Sequence, residues 1–369
     1  MGARLEFNRR GGARRTPPVS THRKTTMIAH RLTQLTLTIA ACLGVAAPAW
    51  AGKTLEQIRQ RDQIVCGVST GVAGFSAADS QGKWTGMDVD VCRALAAAVL
   101  GSPDKVRYVP LAAPQRFTAL QSGEVDLLSR NTTVTLSRDT TLGLSMTAVL
   151  LYDGQGFMVP AKLNLKSARQ LKDATVCVQS GTTTEKNLSD YSRTHKLNLK
   201  PVVFEKIDAA NAAYFAGRCK AYSTDASGLA SIRSREAKNP KEHIILPELI
   251  SKEPLGPMVR KGDDEWLAIV RWTVYGLIEA EEQGVRSDNL QKLLAESTDP
   301  VVMRLLGKGD DLGKALGLDK EWLLRALGSV GNYGEMFERH LGEKTPVGLK
   351  RGANNLWTQG GLLYALPLR

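Results

Sequence analysis

The sequence has few cysteines and aromatic residues, and after its first fifty residues it has no apolar run long enough to span a membrane. Cysteine occurs five times in 369 residues, and aromatic side chains make up 6% of the chain. The cysteines show no metal-ligand spacing, and the histidines after residue 52 stand apart from one another. Neither a nucleophile elbow nor a phosphate-binding loop is present. We therefore expect no catalytic residue, no metal and no cofactor.

The formal net charge of +12 is concentrated in the first part of the chain. Residues 1–51 contain eight Lys/Arg and the single acidic residue Glu6, a net charge of +7, which leaves +5 for residues 52–369. No basic stripe with interleaved aromatic residues and no zinc-finger spacing follows. A nucleic-acid partner is therefore not expected.

Residues 27–51 have the layout of a secretory signal peptide. A short basic start precedes an apolar stretch from Leu35 to Ala47, and a small-x-small cleavage site ends at Ala51. Residues 1–26 resemble an extension from an upstream start codon. The alternatives are a membrane anchor, for which the apolar stretch is short, and lipidation at Cys42. We expect cleavage after Ala51 and export of the remaining chain.

Export places the remaining cysteines, Cys66, Cys92, Cys177 and Cys219, in an oxidising compartment. Four cysteines allow three pairings. We favour Cys66 with Cys92 and Cys177 with Cys219, because this pairing closes one loop in each half of the chain and leaves the halves free to move. Four unpaired thiols in the core are the alternative.

Hydrophobic patterning predicts two α/β units followed by a helical region. The strands IVCGV, KVRYVPL and VDLLS alternate with two helical segments, which indicates a mostly parallel sheet flanked by helices. The first helix is expected to start with Asp88 or Asp90 as its cap and to end at Gly101. The pattern restarts at DATVCVQ and ends at AYSTD, and the Gly/Pro-bearing segments YDGQGFMVP and LISKEPLGPMVRKG connect the units. From Asp263 onward the pattern is largely helical.

Polar residues follow the strands of both units, where ligands bind in open α/β sheets. The planar fork of an arginine can hold a carboxylate, a helix N-terminus offers free N–H groups, and an aspartate can bind an ammonium group. Together these groups match the zwitterion of an α-amino acid. The alternatives are a surface pair between Arg138 and Asp139, and helix caps at Thr182 and Asp225. The residues concerned are Asn131, Thr133, Arg138, Thr182, Thr183 and Asp225.

The segments GEVDLLSRNTTVTLSRD, VQSGTTTE and AYSTDASGL resemble periplasmic amino-acid-binding proteins of ABC importers, solute-binding protein family 3. The tail segments VGNYGEMFER and RGANNLWTQGGLLYA resemble the general L-amino-acid-binding subgroup. The resemblance implies a two-lobed α/β fold of the type II periplasmic-binding-protein class. Two mostly parallel sheets would be joined by two hinge crossovers, with a helical C-terminal extension. Residues 52–156 and 257–369 would form the first lobe and residues 157–256 the second.

The resemblance also implies roles for individual residues. Thr133 and Arg138 would hold the α-carboxylate, Thr183 with Thr182 nearby would add donors, and Asp225 would take the α-ammonium. Arg116 occupies a place where glutamate/aspartate binders carry an arginine for the side-chain carboxylate, with a position on a helix surface as the alternative. The further expected ligand contacts are Asn131, Ser69 and Phe75, with Val72 standing where relatives often have a covering aromatic residue.

The expected function is capture of an L-amino acid in the periplasm by hinge closure, followed by delivery to the membrane permease of an ABC transporter. The protein is expected to be a monomer and not an enzyme. A periplasmic dehydratase or hydrolase is the competing class, because fold does not settle function. Its candidate acids, Glu124 and Glu185, lack a paired histidine or second carboxylate. A sensor domain that signals through a partner is the third class.

Overall fold

Strands and helices alternate along residues 53–369, which are the residues that this computed structural model describes. The predicted signal region and Cys42 lie outside the described residues. The strands are β1 (Ile64–Val68), β2 (Ala77–Ala78), β3 (Trp84–Thr85), β4 (Val106–Pro110), β5 (Leu127–Leu128), β6 (Leu144–Met146), β7 (Leu151–Asp153), β8 (Gln155–Pro160), β9 (Thr175–Gln179), β10 (Lys200–Phe204), β11 (Ala221–Asp225), β12 (His243–Ile245), β13 (Glu253–Leu255) and β14 (Met258–Arg260).

The α-helices show the expected concentration toward the C-terminal end. They are α1 (Lys53–Arg61), α2 (Met87–Leu100), α3 (Arg116–Ser122), α4 (Leu136–Thr140), α5 (Thr183–Thr194), α6 (Ile207–Phe215), α7 (Ala226–Glu236), α8 (Asp264–Glu282), α9 (Leu290–Glu296), α10 (Pro300–Leu305), α11 (Trp322–Val330) and α12 (Tyr333–His340). Short 3-10 turns lie at Ala161–Leu163, Ala168–Gln170, Pro240–Glu242, Lys314–Leu316, Gly352–Asn354 and Trp357–Gln359. Within residues 53–369, no helix combines the length and apolar character needed to cross a membrane.

The first five-stranded sheet, sheet A, has the order β4-β1-β5-β14-β6. β1 runs parallel to β4 and to β5, while β14 runs antiparallel to β5 and to β6. Four of the five strands therefore point the same way, as the βαβαβ pattern predicts. Every residue of β1 is buried, which is typical of a central strand covered on both faces.

The second five-stranded sheet, sheet B, has the same plan in the order β10-β9-β11-β8-β12. β9 runs parallel to β10 and β11, and β8 runs antiparallel to β11 and β12. The chain passes between the sheets twice, and the two passages pair with each other as the antiparallel strands β7 and β13. The mostly parallel sheets and the two crossovers of the predicted fold class are confirmed.

Each half of the chain contains one disulfide, with the pairing that the sequence favours. Cys66 in β1 is bonded to Cys92 in α2, with a Cα–Cα distance of 6.3 Å. Cys177 in β9 is bonded to Cys219, just before β11, with a Cα–Cα distance of 5.6 Å. Both distances lie in the range that disulfides require. Each bridge closes within the neighbourhood of one sheet and does not tie sheet A to sheet B.

The predicted cap of α2 is wrong, although the helix itself and its left-handed end at Gly101 are confirmed. Gly86 occupies the cap position with φ 130°, and no side chain caps the helix. A Cβ at Gly86 would lie 2.1 Å from the carbonyl oxygen of Phe75, so only glycine fits. Asp88 and Asp90 are instead occupied by distant partners: Asp88 accepts from the Asn131 N–H at 3.0 Å, and Asp90 lies 2.6 Å from His340 Nε2.

The C-terminal helices cover sheet A and also reach β7. Trp266 of α8 is buried and donates through Nε1 to the Asp126 carbonyl at 3.0 Å, as expected of a core residue. The Asn354 side chain accepts from the Tyr152 N–H at 2.7 Å and donates to the Tyr152 carbonyl at 3.0 Å. The Tyr333 hydroxyl donates to the Leu150 carbonyl at 2.8 Å. The C-terminal extension is therefore bonded to one of the two crossovers.

Candidate functional site

A small cavity of about 40 Å³ lies at the carboxyl ends of β5, β9 and β11. Three structural pieces bring polar groups to it: the loop after β5, the first turn of α5 after β9, and the last residues of β11. The cavity therefore lies where ligands bind in open α/β sheets. The lining residues are Val72, Arg116, Arg130, Asn131, Thr133, Gln179, Thr182, Thr183, Thr184, Ile207, Thr224, Asp225, Gly228 and Ile232.

Six of the nine residues predicted to contact the ligand line this cavity: Arg116, Asn131, Thr133, Thr182, Thr183 and Asp225. Arg138 lies directly behind Thr133, and its Nη1 donates to the Thr133 carbonyl at 2.7 Å. Ser69 and Phe75 do not line it. The Ser69 hydroxyl lies 2.7 Å from that of Ser76 and ties its own loop together, and Phe75 is buried in the core beside sheet A. Their role as ligand contacts stays a prediction.

Three arginines next to the cavity are buried without an ion pair. Arg116, Arg130 and Arg138 are 3%, 5% and 7% exposed, and among the described residues no carboxylate oxygen lies within 4.0 Å of their guanidinium nitrogens. A guanidinium has five N–H groups. Each of the three donates one hydrogen bond, to the backbone carbonyls of Gly181, Leu111 and Thr133 respectively. Most of their donors therefore remain for another acceptor.

Burial makes these cations energetically unfavourable without an anion. It lowers the pKa of Arg116 well below its usual value, and the neighbouring Arg130 and Arg138 lower it further. Burial lowers the pKa of Arg130 to about 10 and also lowers that of Arg138. Arg116 and Arg138 both stack near Phe117, with Cζ to ring-centre distances of 4.7 and 4.9 Å. A carboxylate bound here would relieve the desolvation cost of the cations.

Asp225 supplies the opposite charge at the end of β11. It occupies the cap position of α7, but its side chain makes no capping hydrogen bond, which removes the cap alternative. Burial, with the carboxylates of Asp153 and Glu253 nearby, raises its pKa well above the usual 3.8. An ammonium group beside Asp225 would favour the ionised carboxylate.

The two neighbouring carboxylates have donors of their own. Asp153 accepts hydrogen bonds from the backbone N–H and the hydroxyl of Ser227. Glu253 accepts from the Thr183 hydroxyl at 2.9 Å and from the Asn187 side chain at 2.8 Å. No side chain or backbone donor among residues 53–369 bonds the Asp225 carboxylate. Of these three acids, Asp225 is therefore the one open to a ligand cation.

Asn131 presents a side-chain oxygen that local structure does not use, and Thr182 presents a hydroxyl whose oxygen can still accept a hydrogen bond. Asn131 has a φ of 31°, and its buried Oδ1 has no hydrogen-bond partner among the described residues. Thr182 precedes α5 without a side-chain capping bond, and its hydroxyl donates to the Gln179 carbonyl at 2.7 Å. The two residues face the same cavity from opposite sheets. They add acceptors and donors for a small polar ligand.

Eight lining residues were not among the predicted contacts. Arg130, Thr184 and Thr224 each adjoin a predicted contact, so the strand-end rule applied one residue further would have found them. Gln179 is the last residue of β9 itself. Val72 lies in the loop where a covering residue was expected. Ile207, Gly228 and Ile232 belong to α6 and α7, and no strand-end signal points to them.

Comparison with known proteins places the chain in a family. The model of the bacterial extracellular solute-binding proteins, family 3, matches residues 64–285. The general L-amino acid-binding periplasmic protein AapJ of Rhizobium johnstonii is 54% identical over 332 residues, 89% of this chain and 97% of that protein. The glutamate/glutamine/aspartate/asparagine-binding protein BztA of Rhodobacter capsulatus is 50% identical over 89% of this chain and 97% of its own length.

A solved structure agrees with these sequence matches. An ABC transporter periplasmic binding protein from Brucella ovis with glutathione bound superimposes with a TM-score of 0.84. It is 51% identical, and the match covers 86% of this chain and 99% of that one. The two-lobed type II fold is thereby shown. The chain belongs to the bacterial extracellular solute-binding proteins of family 3.

Proposed function

We propose that this protein is the periplasmic substrate-binding component of an amino-acid ABC transporter, with glutamate and aspartate among its L-amino-acid ligands. The observation that carries the proposal is the set of unpaired charges at the cavity. Among the described residues, Arg116 and Arg130 line it without an ion pair, and Arg138 lies directly behind Thr133. Asp225, which no donor in residues 53–369 bonds, lines the same cavity. A ligand that bears both a carboxylate and an ammonium group satisfies both charges. The named ligands of AapJ and BztA support the same class.

Within this proposal the zwitterion is held at both ends. The α-carboxylate is bound by the Arg138 fork with Thr133, and by the free N–H groups at the first turn of α5 beside Thr182 and Thr183. The α-ammonium is bound by Asp225. Burial removes water from the charged groups of the cavity, and contacts with the ligand replace it. The ion pairs are strong because the closed cavity has a lower effective dielectric constant than water.

The same proposal assigns the two lobes and their motion. Residues 52–156 and 257–369 form the first lobe around sheet A, and residues 157–256 form the second around sheet B. The paired strands β7 and β13 are the hinge, because both chain crossings pass through them. Cavity residues come from both lobes, so hinge closure completes the site. The closed protein acts as a monomer and docks on the membrane permease.

An enzymatic role is less well supported than binding. The candidate acids Glu124 and Glu185 are both exposed, and neither lines the cavity. Asp225 is the cavity's own carboxylate, and its charge is matched by the expected ligand ammonium. A dehydratase or hydrolase needs a paired acid and base, or a nucleophile with a base beside it, at the reacting atom. Within residues 53–369, the cavity lining contains no histidine and no carboxylate besides Asp225.

The proposal is tested by calorimetric titration of L-glutamate, L-leucine and glutathione into residues 52–369, refolded after denaturant has removed bound ligand. Glutathione is included because the Brucella ovis relative binds it. We expect saturable one-to-one heat with L-glutamate, and chromatography should recover the ligand unchanged. Heat with none of these ligands, or conversion of the ligand to a product, would contradict an amino-acid carrier.

Arg116 is expected to select for a second carboxylate on the ligand. Arg116→Ala should weaken L-glutamate binding at least about 10-fold more than L-leucine binding, because a buried charge pair is lost only with the acidic ligand. The exposed Arg107 on β4 provides the matched control, Arg107→Ala. Equal losses for both amino acids would remove this role from Arg116.

A further inference from the structure

Arg130 is the third buried arginine of the cavity, and neither the sequence nor the family resemblance gives it a role. It is 5% exposed and lines the cavity beside Asn131. Its Nε donates to the Leu111 carbonyl at 2.9 Å, which fixes the side chain against sheet A. The two terminal nitrogens have no hydrogen-bond partner among residues 53–369, and no carboxylate oxygen there lies within the 4.0 Å of an ion pair. The guanidinium is therefore held in place through Nε, while its two terminal nitrogens can donate to another acceptor.

The neighbouring Asp88 makes no ion pair with Arg130. Asp88 is buried in the first turn of α2, and its two oxygens accept from the Ser129 hydroxyl at 3.3 Å and from the Asn131 N–H at 3.0 Å. Burial raises the pKa of Asp88 to about 6, while Arg130 acts to lower it. Asp88 thus favours the charged form of Arg130 at a distance and leaves its terminal donors free. The Asn131 N–H that Asp88 accepts belongs to a residue with a φ of 31°.

The number of charges in the cavity exceeds what one zwitterion can satisfy. An α-carboxylate and an α-ammonium are matched by Arg138 and Asp225. Arg116 and Arg130 then remain as two desolvated cations on the same wall. A ligand with a neutral side chain would give neither guanidinium an ionic partner, which is unfavourable because burial has removed the hydration of both charges. A second carboxylate on the ligand, shared by the two guanidinium groups, reduces this cost.

We propose that Arg130 acts with Arg116 to bind the second carboxylate of the ligand, which makes Arg130 a specificity-determining residue for dicarboxylic α-amino acids. The inference rests on the proposed function and narrows its ligand class. Both residues line the same small cavity, and a guanidinium group can donate parallel hydrogen bonds to a carboxylate. Ligands without a second carboxylate should bind more weakly, because they leave the buried cations unpaired.

The test compares L-glutamate with L-glutamine, which differs only in lacking the side-chain charge. In Arg130→Gln the preference for L-glutamate over L-glutamine, taken as a ratio of Kd values, should fall at least about 10-fold. Affinity for L-glutamine should hold or improve, because a buried cation has been removed. Arg130→Lys keeps the charge and should retain part of the preference. Arg107→Gln, on the exposed face of β4, should change neither Kd.

A purely structural role for Arg130 predicts a different result. If the side chain serves only to hold the Leu111 carbonyl, both ligands should weaken equally and the ratio should stay constant, which would overturn the proposal. An unchanged Kd for both ligands would do the same. If wild-type protein binds neither amino acid, the proposed function itself fails, and that outcome is distinct from a constant ratio.

Two further variants keep the test decisive. Removing Arg130 leaves Asp88 buried without its nearby cation, so Arg130→Gln is also combined with Asp88→Asn in case the single variant does not fold.

In addition, Arg116→Gln and Arg130→Gln are combined. If both arginines bind one carboxylate, their effects on L-glutamate affinity should be non-additive, whereas additive effects would show that they do not share a ligand group.

Discussion

Replacing Arg138 by methionine should leave a folded protein that no longer binds amino acids. Removing one partner of a buried, hydrogen-bonded charge pair costs about 2–5 kcal/mol, and the α-carboxylate is common to every amino-acid ligand. Affinity should therefore fall at least about 30-fold for acidic and neutral ligands alike. Folding should survive, because burial already lowers the pKa of Arg138 and so penalises its charged form in the free protein. Methionine can keep the packing against Phe117.

Calorimetry with L-glutamate and L-leucine measures the loss, and circular dichroism with thermal unfolding checks the fold. Arg138→Lys keeps the charge but not the planar fork, so its affinity should fall between wild type and Arg138→Met. Arg107→Met is the matched surface control. Retained affinity in Arg138→Met would show that the α-carboxylate is bound elsewhere, with Arg116 and Arg130 as the remaining buried cations.

The features that sequence alone predicts well are those that depend on neighbours along the chain. The two α/β units follow from periodicity, and the polar residues at the strand ends follow from the strand-end rule. The disulfide pairing was one of three possible pairings, favoured because it closes one loop in each half of the chain, and the structure confirms it. Thr182 and Asp225 also show the limit of prediction from sequence alone. Each stands at a helix cap position, and only the structure shows that neither side chain makes a capping bond.

Features that depend on long-range contacts were not predicted. Asp88 and Asp90 look like helix caps in the sequence, but their partners lie 43 and 250 positions away. Sequence proximity cannot reveal such pairs, because they form only when α2 packs against the β5 loop and α12. Arg130 was likewise missed, since nothing in SRNTTV indicates which polar residue will be buried with free donors.

Replacing Asp225 by asparagine should abolish binding and at the same time stabilise the unliganded protein. The variant removes the partner of the α-ammonium, so the affinity for all amino acids should fall at least about 30-fold. In the free protein, burial and the nearby Asp153 and Glu253 raise the pKa of Asp225, which means that ionisation is unfavourable there. Each tenfold increase in proton affinity on folding corresponds to about 1.4 kcal/mol. An uncharged amide avoids this cost, so the Tm at neutral pH should rise.

Thermal unfolding without ligand and calorimetry with L-glutamate test the two effects separately. Asp208→Asn, at an exposed position on α6, is the matched control and should leave the Kd unchanged. A lower Tm together with lost binding would indicate that Asp225 is a structural residue. Unchanged binding would show that the ligand ammonium is bound by another group.

Stability and ligand affinity measured against pH, in wild type and in Asp225→Asn, test whether Asp225 is the group that binds the ligand ammonium. Because the folded protein holds the Asp225 proton more tightly than the unfolded chain, its contribution to stability is present below the ordinary pKa of 3.8 and is lost as the pH rises through the raised value. Ligand affinity should change in the opposite direction, since only the ionised carboxylate binds an ammonium, and it should fall as the pH drops through the same range. Asp225→Asn should remove this contribution from the stability profile. A buried carboxylate that binds the ligand requires stability and affinity to change with pH in opposite directions, and it requires Asp225→Asn to flatten the pH dependence of stability. A helix cap would not produce this combination.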